Sequence, residues 1–247
     1  MNNRLKIKGP IFSGRSYYEY LKMFNLRPEN LKNVKILDCA AGASSFTARM
    51  NKKGFDVKAV DLLYNKKPTF LHNRCKYHLN ALVNALSDLN HLFVWDFFDN
   101  LDELKKIRMK SCQEFYEDYK NNRKNYIKAD LLKLPFKDNS FPLVLNSHLL
   151  FIYDHRFNYD FHKKSIIEML RVSSKELRIY PLVKHKAIKS DYVKKIIDDL
   201  NKKMDIKIED VDYEFRKGAN EMMRIIKNKK KFIRGSKSNG NRLYQTF

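Results

Sequence analysis

The chain of 247 residues contains only three cysteines, Cys39, Cys75 and Cys112. Their odd number and wide spacing predict neither a disulfide framework nor a metal cluster. His72 and His78 have no acidic partner at helical spacing, and no pattern is typical of a metal site or of a Ser/His/Asp triad. The sequence therefore predicts no metal centre and no nucleophilic triad.

Long hydrophobic runs are also missing. No stretch approaches the roughly 20 apolar residues that span a bilayer, and the longest run, at 143–153, is interrupted by polar side chains. The first ten residues lack the apolar core of a signal peptide, and we find no internal repeat. We expect a soluble, cytoplasmic protein with no membrane partner, in which 1–226 form one domain with a single substantial core.

Acidic residues are scarce relative to basic ones. The chain has 28 Asp and Glu against 50 Lys and Arg, for a formal net charge of +22. A basic surface suits RNA or another nucleic acid, because bound phosphates release counterions. Lys, Asn and Ile are abundant along the whole chain, however, which an A/T-rich coding bias also explains. Both explanations stay open, and the richest basic segment, 227–247, is predicted to be a mobile tail.

Three strand ends carry acidic residues. Residues 34–46 combine an apolar strand ending in Asp38, a turn of small residues around Gly42, and the start of a helix. A second strand ends in Asp61, 23 residues later, close to the spacing at which a doubly wound sheet presents an acid to a ribose hydroxyl. A third ends in Asp130, and a further apolar strand leads to His148. These ends predict a nucleotide-type site in one crevice.

These residues resemble the class I S-adenosylmethionine (SAM)-dependent methyltransferases over roughly 34–226. Of that family's acid-x-Gly-x-Gly-x-Gly pattern, Asp38-Cys-Ala-Ala-Gly42-Ala-Ser44 keeps only the middle glycine. The segment 134–144 is similar to the family's fourth-strand region, although Pro142 stands where many members have Asp. The resemblance implies an α/β fold: a doubly wound, Rossmann-like, seven-stranded, mostly parallel sheet with a C-terminal antiparallel hairpin. It also implies SAM as the cofactor.

The resemblance further implies a set of cofactor-binding residues. Asp61 would hold the ribose hydroxyls, Asp130 and Leu131 would contact the adenine, and Arg15 would pair with the SAM carboxylate. Backbone amides of the turn would face the cofactor, aided by the positive end of the next helix. The full expected set is Arg15, Asp38, Ala40, Ala41, Gly42, Ser44, Ser45, Asp61, Leu62, Asp130, Leu131, Asn146 and Ser147.

We expect helical segments to cover the substrate side of the site, and the aromatic-rich stretch 151–161 to contribute to it. Residues 1–33 predict an N-terminal lid helix capped by Ser13 or Ser16, and about 70–125 predict a helical insertion with segments at 74–86, 91–98 and 101–121. His148 is a candidate general base, and Asp154 a second catalytic candidate. The expected substrate contacts are Tyr17, Tyr18, Phe151, Asp154, Arg156, Asp160 and Tyr180. Each of these also has a purely structural interpretation, as a packing or solvated side chain.

Three functions compete. The first is methyl transfer to an N or O atom of a small molecule or peptide, including a cationic amine held by Asp154 and Asp160. The second is an RNA methyltransferase that uses the basic surface, although Asn146-Ser-His-Leu149 lacks the Asn/Asp-Pro-Pro-aromatic motif of base-amine methylation. The third is a non-catalytic module that binds SAM or nucleic acid, which a plug formed by Phe151, Tyr153 or Phe157 would favour.

Overall fold

The computed structural model describes residues 9–86 and 89–227. Most of the basic segment that was expected to form a mobile tail, from residue 228 onward, lies outside the described residues. Within the described part, no helix combines the length and apolar character needed to cross a membrane.

The described chain alternates strands and helices. The strands are β1 (Lys35–Cys39), β2 (Asp56–Asp61), β3 (Tyr126–Lys128), β4 (Phe141–Ser147), β5 (Ser173–Tyr180), β6 (Asp205–Asp210) and β7 (Glu221–Ile226). The α-helices are α1 (Tyr17–Met23), α2 (Phe46–Lys52), α3 (Pro68–Leu86), α4 (Leu101–Asn121), α5 (Tyr159–Val172) and α6 (Asp191–Leu200). Short 3-10 turns occupy Pro28–Leu31, Asn90–Leu92 and Arg123–Asn125.

The seven strands form one sheet in the order β3-β2-β1-β4-β5-β7-β6. Strands β1 to β5 pair in parallel, whereas β7 runs antiparallel to both β5 and β6. The order reverses between β1 and β4, which creates a crevice at the carboxyl ends of these strands. The predicted fold class, a doubly wound, mostly parallel, seven-stranded sheet with a C-terminal antiparallel hairpin, is therefore confirmed.

Helices cover both faces of the sheet. Along β1, Ile36 packs into the core formed with α1 to α4, and Leu37 packs into the core formed with α5 and α6. This burial on both sides explains why the strand is a continuous apolar run rather than an alternating one. Glycine at position 54, with φ of +86°, follows α2 and ends it.

The N-terminal segment leads into α1 and packs against α4. Helix α1 begins at Ser16 with a capping box, in which Ser16 Oγ accepts from the Glu19 N–H and Glu19 accepts from the Ser16 N–H. Ahead of it, the segment around Gly14 runs directly against α4. A Cβ on Gly14 would lie 2.6 Å from the Arg108 carbonyl oxygen, so only glycine permits this approach.

Two expectations about the insertion were wrong. Residues 91–98 do not form a helix, because the Val94 N–H donates to the Phe215 carbonyl (2.8 Å) and Phe93 bridges to Arg216. Cys75 and Cys112 form a disulfide that joins α3 to α4. The packing of α3 against α4 brings together two cysteines that are 37 residues apart in sequence. Cys39 is the one free cysteine in the described chain, and it is buried.

Candidate active site

The turn after β1 has a backbone suited to close approach by a ligand. Ala40 and Gly42 both have positive φ, +56° and +59°, a conformation that glycine adopts freely and alanine does not. The Ala41 N–H donates to the Val60 carbonyl (3.1 Å), and the Gly42 N–H donates to Asp61 Oδ2 (3.2 Å). The turn is thus held against the end of β2.

Asp61 anchors this turn and still has free capacity as an acceptor. Its Oδ1 accepts from the Leu63 N–H (2.9 Å) and its Oδ2 from the Gly42 N–H. A carboxylate offers about four acceptor positions, so each oxygen retains one. Burial raises the pKa of Asp61, although these backbone bonds and the Arg74 guanidinium act in the opposite direction.

A cavity of about 500 Å³ opens beside this turn. One part of its wall, the turn side, comes from the ends of β1, β2 and β3 and includes Asp61 and Asp130. The other part, which we call the roof, comes from the N-terminal segment, α3, α4 and the β6–β7 loop. The cavity is lined by these residues of the expected cofactor set: Arg15, Ala40, Ala41, Gly42, Asp61, Leu62, Asp130, Leu131 and Ser147. The candidate general base His148 lines it as well.

Four expected cofactor residues do not line the cavity; they hold the turn and the neighbouring strand ends in place through hydrogen bonds. Asp38 is fully buried and accepts from the Tyr20 hydroxyl (3.2 Å), and burial raises its pKa well above the usual range. Ser44 Oγ accepts from the Phe46 N–H, Ser45 Oγ accepts from the Tyr17 N–H, and Asn146 Nδ2 donates to the Cys39 carbonyl (3.0 Å). These contacts fix the strand ends relative to α1 and α2.

His148, which follows β4, also lines the cavity. Its backbone has a φ of +55°, and its N–H donates to the Tyr180 carbonyl (2.8 Å). Its Nδ1 lies 2.7 Å from Ser147 Oγ. Burial, reinforced by Arg15, Arg108 and Arg216, lowers the pKa of His148 well below its usual value. The imidazole is therefore neutral near pH 7.

The expected substrate residues lie outside the cavity. Tyr17, Phe151 and Tyr180 are buried in the core, and Tyr18 is exposed. Asp160 forms an exposed ion pair with Lys164, and Arg156 contacts His155 on the surface. From the same aromatic stretch, the cavity is instead lined by Ile152, Tyr153, Phe157 and Phe161.

Asp154 also stands outside the cavity. Its Oδ2 accepts from Ser190 Oγ (3.1 Å) and lies 3.8 Å from Lys184 Nζ. With His155 and His185 it forms a group whose ligand atoms lie within 4.8 Å of one another, an arrangement that could hold a metal ion. The neighbouring Lys184 ammonium competes with any cation at this position.

No family model matches the chain. An uncharacterized protein of Methanocaldococcus jannaschii, MJ0045, is 41% identical to it over 222 residues, which are 90% of this chain and 98% of that protein. The chain belongs to the MJ0045 family.

Several solved structures are similar to this MJ0045-family chain. The magnesium protoporphyrin IX methyltransferase (ChlM) from Synechocystis PCC 6803, with bound SAM, has 11% identity and a TM-score of 0.45, covering 85% of this chain and 81% of that one. A SAM-dependent methyltransferase from Aquifex aeolicus has 15% identity and a TM-score of 0.41, covering 85% and 92%. At scores this low, these likenesses carry no argument about the activity of the MJ0045 family.

The roof contains residues that the sequence reasoning missed. Arg108 and Arg216 line the cavity together with Phe93 and Phe215. One signal was available for Arg108, because it lies on the apolar stripe of α4, four residues after Leu104. A charged residue within a buried stripe is rarely there without a partner. No comparable pattern marks Arg216.

One carboxylate ties the roof of this MJ0045-family chain together. Glu19, fully buried on α1, accepts from Arg108 Nη2 (2.9 Å) and from the Tyr213 hydroxyl (2.7 Å), and lies 3.3 Å from Arg15 Nη1. Burial by itself would raise the pKa of Glu19, but Arg108 and Arg15 outweigh it and hold the pKa at about 2. Glu19 is therefore ionised at neutral pH.

Proposed function

We propose that the chain is a SAM-dependent methyltransferase that transfers a methyl group to an N or O atom of a small molecule or peptide. The observation that carries this proposal is the placement of Asp61. Its carboxylate stands at the carboxyl end of β2, beside the topological switch point, and is bonded to the Gly42 N–H of the turn after β1. In doubly wound folds this is where an acid meets the ribose of a nucleotide.

The residues of the turn side fit this cofactor. Asp61 has one free acceptor position on each oxygen, which matches the two hydroxyls of a ribose. Leu62 and Leu131 offer apolar faces for an adenine, and the Ala40–Gly42 backbone carries no bulky side chain. Arg15, on the roof, is suited to pairing with the carboxylate of the methionine portion.

Bound SAM supplies a methyl group already activated on its sulfonium, so the protein needs to bind, orient and exclude water. Ile152, Phe157 and Phe161 provide the apolar part of the wall that excludes water. His148 lines the same cavity, and we propose that its imidazole accepts the proton that leaves a hydroxyl or amine acceptor.

The cavity favours an enzyme over a module that only binds the cofactor. Tyr153 and Phe157 line the cavity without filling it, and Phe151 is packed in the core beside His162. A volume of about 500 Å³ falls within the range of small-molecule sites and suits a cofactor with a small acceptor. Use of RNA as the acceptor stays a prediction.

Isothermal titration of SAM and S-adenosylhomocysteine (SAH) into the full-length protein tests the proposal. We expect micromolar binding, and we expect Asp61→Ala to weaken it about tenfold or more, since a hydrogen bond donated to a charged group contributes roughly 1.5–3 kcal/mol. Asp56→Ala is the matched control, because Asp56 is exposed at the opposite end of β2. Absence of SAM binding to folded protein would overturn the proposal, and unchanged affinity in Asp61→Ala would remove Asp61 from the site.

A further inference from the structure

The roof of the cavity carries excess positive charge. Arg15, Arg108 and Arg216 all line it, and Glu19 is the carboxylate that forms ion pairs with the first two. Arg216 has no ion-pair partner among the described residues. Arg74 also lines the cavity and interacts electrostatically with Asp61, which leaves Asp130 as the other acid of the lining against Arg15, Arg108 and Arg216. A ligand of negative charge would balance the roof.

Two donor groups of Arg108 lack an acceptor among the described residues. Its side chain is 1% exposed, and only Nη2 bonds to Glu19. Nε and Nη1 are buried without a hydrogen-bond partner in the described part of the chain. The guanidinium is held by two aromatic rings, with its carbon 5.5 Å from the centroid of Phe98 and 5.3 Å from that of Phe215. Buried charged donors without partners are costly, so their persistence in a cavity wall points to a ligand that accepts from them.

Arg216 is positioned in a similar way from the β6–β7 loop. Its guanidinium carbon lies 4.7 Å from the centroid of the Phe93 ring, and Nη1 donates to the His185 carbonyl. Burial, together with the nearby charge of Arg15, lowers the pKa of Arg216 to about 10. An anion bound in the cavity would relieve both of these effects.

Apolar and aromatic side chains make up much of the remaining lining of the cavity. Phe93, Phe215, Phe157, Phe161, Ile152 and Leu82 line the same space. A cationic acceptor would meet these three guanidinium groups and that of Arg74, whereas Asp154 and Asp160 lie outside the cavity beside Lys184 and Lys164. The cavity thus combines an apolar or aromatic surface with a site for one anionic group.

We propose, building on the methyltransferase function above, that the acceptor is a small organic acid with an apolar or aromatic body. Its carboxylate or phosphate is bound by Arg108 and Arg216, while Arg15 serves the carboxylate of the cofactor. Two guanidinium groups can hold one such anion through paired N–H donors. These two arginines would then set the specificity of the enzyme.

The test uses four probes that share one phenyl ring and differ in their polar group: benzoate, phenyl phosphate, benzylamine and benzyl alcohol. Each is titrated at millimolar concentration into full-length protein saturated with SAH. We expect the two acids to bind at least about tenfold more tightly than the amine and the alcohol. Comparison of benzoate with phenyl phosphate then distinguishes a carboxylate from a phosphate as the preferred group.

Two variants on the same loop sharpen the test. Arg216→Gln should weaken binding of both acids at least about tenfold and leave SAH affinity within about twofold. Lys217→Gln removes the same charge from the next residue, which is exposed and outside the cavity, and should change neither. We prefer Arg216 to Arg108 for this purpose, because loss of Arg108 would remove the closer of the two arginine partners of the buried Glu19 carboxylate.

The outcomes separate this inference from the proposed function. Equal binding of acids and amine, no binding of either acid, or unchanged acid affinity in Arg216→Gln would each overturn the anionic acceptor. If SAH does not bind, the acids are titrated into the protein alone. In that case, acid binding that is lost in Arg216→Gln would support the anion site, and the absence of SAH binding would contradict the methyltransferase function.

Discussion

Replacement of Glu19 by glutamine tests how the roof of the cavity is held in place. The Glu19 carboxylate joins three elements, since it caps α1, pairs with Arg108 of α4 and accepts from Tyr213 in the β6–β7 loop. Glutamine has the same shape and one carbonyl acceptor, so the substitution removes the charge with little change in volume. Its effect therefore reports on the charge rather than on packing.

We expect Glu19→Gln to lower the free energy of unfolding strongly. The pKa of about 2 means that Glu19 carries a full negative charge throughout the neutral range. Its main partner, Arg108, is 1% exposed, so the variant leaves a guanidinium buried without a counter-charge. Removing one partner of a buried ion pair costs about 3–5 kcal/mol. Since whole domains are stable by about 5–15 kcal/mol, the free energy of unfolding should fall by a substantial fraction.

Urea denaturation followed by circular dichroism measures this change. The matched control is Glu114→Gln, which breaks the ion pair with Arg49, because both of those side chains are 26% exposed. An exposed pair contributes at most about 1 kcal/mol. If Glu19→Gln lowers the unfolding free energy by no more than Glu114→Gln does, then the charge on Glu19 does not hold the roof and the reasoning fails.

Two further predictions concern the N-terminal segment and pH. Gly14→Ala should lower stability by about 1–3 kcal/mol in thermal melting, because its Cβ would lie 2.7 Å from the Cys112 nitrogen as well as close to the Arg108 carbonyl; an unchanged melting temperature would contradict the close approach. Burial, aided by Arg74, lowers the pKa of His78 to about 4, and its Nδ1 accepts from the Phe12 N–H. Since the unfolded chain binds the proton more readily, about 3 kcal/mol of stability should be lost as the pH falls from about 6.5 to 4. The lowered pKa of His148 also reduces stability as the pH falls. The variant His78→Gln, which keeps an acceptor for the Phe12 N–H, should make the melting temperature depend less on pH in this range.

Local signals in the sequence predicted the sheet and the turn side of the site. The apolar strand before Gly42, the strand ending at Asp61 and the hairpin at the end of the described chain are all found where their patterns placed them. Ser16 caps α1 as one of the two residues expected to do so. These features depend on hydrophobic periodicity and turn chemistry within a few residues, so the sequence carries them directly.

The sequence by itself thus determined the fold class and the acid-bearing strand ends, because parallel strands that end in polar residues meet at one edge. Only the tertiary structure decided what stands above that edge. Packing of α3 on α4 joined Cys75 to Cys112, and pairing with the β6–β7 loop kept residues 91–98 out of a helix. The same long-range packing placed Arg108 and Arg216 in one cavity from distant parts of the chain. No local pattern encodes such a meeting, because it depends on how elements far apart in sequence bury one another's apolar faces.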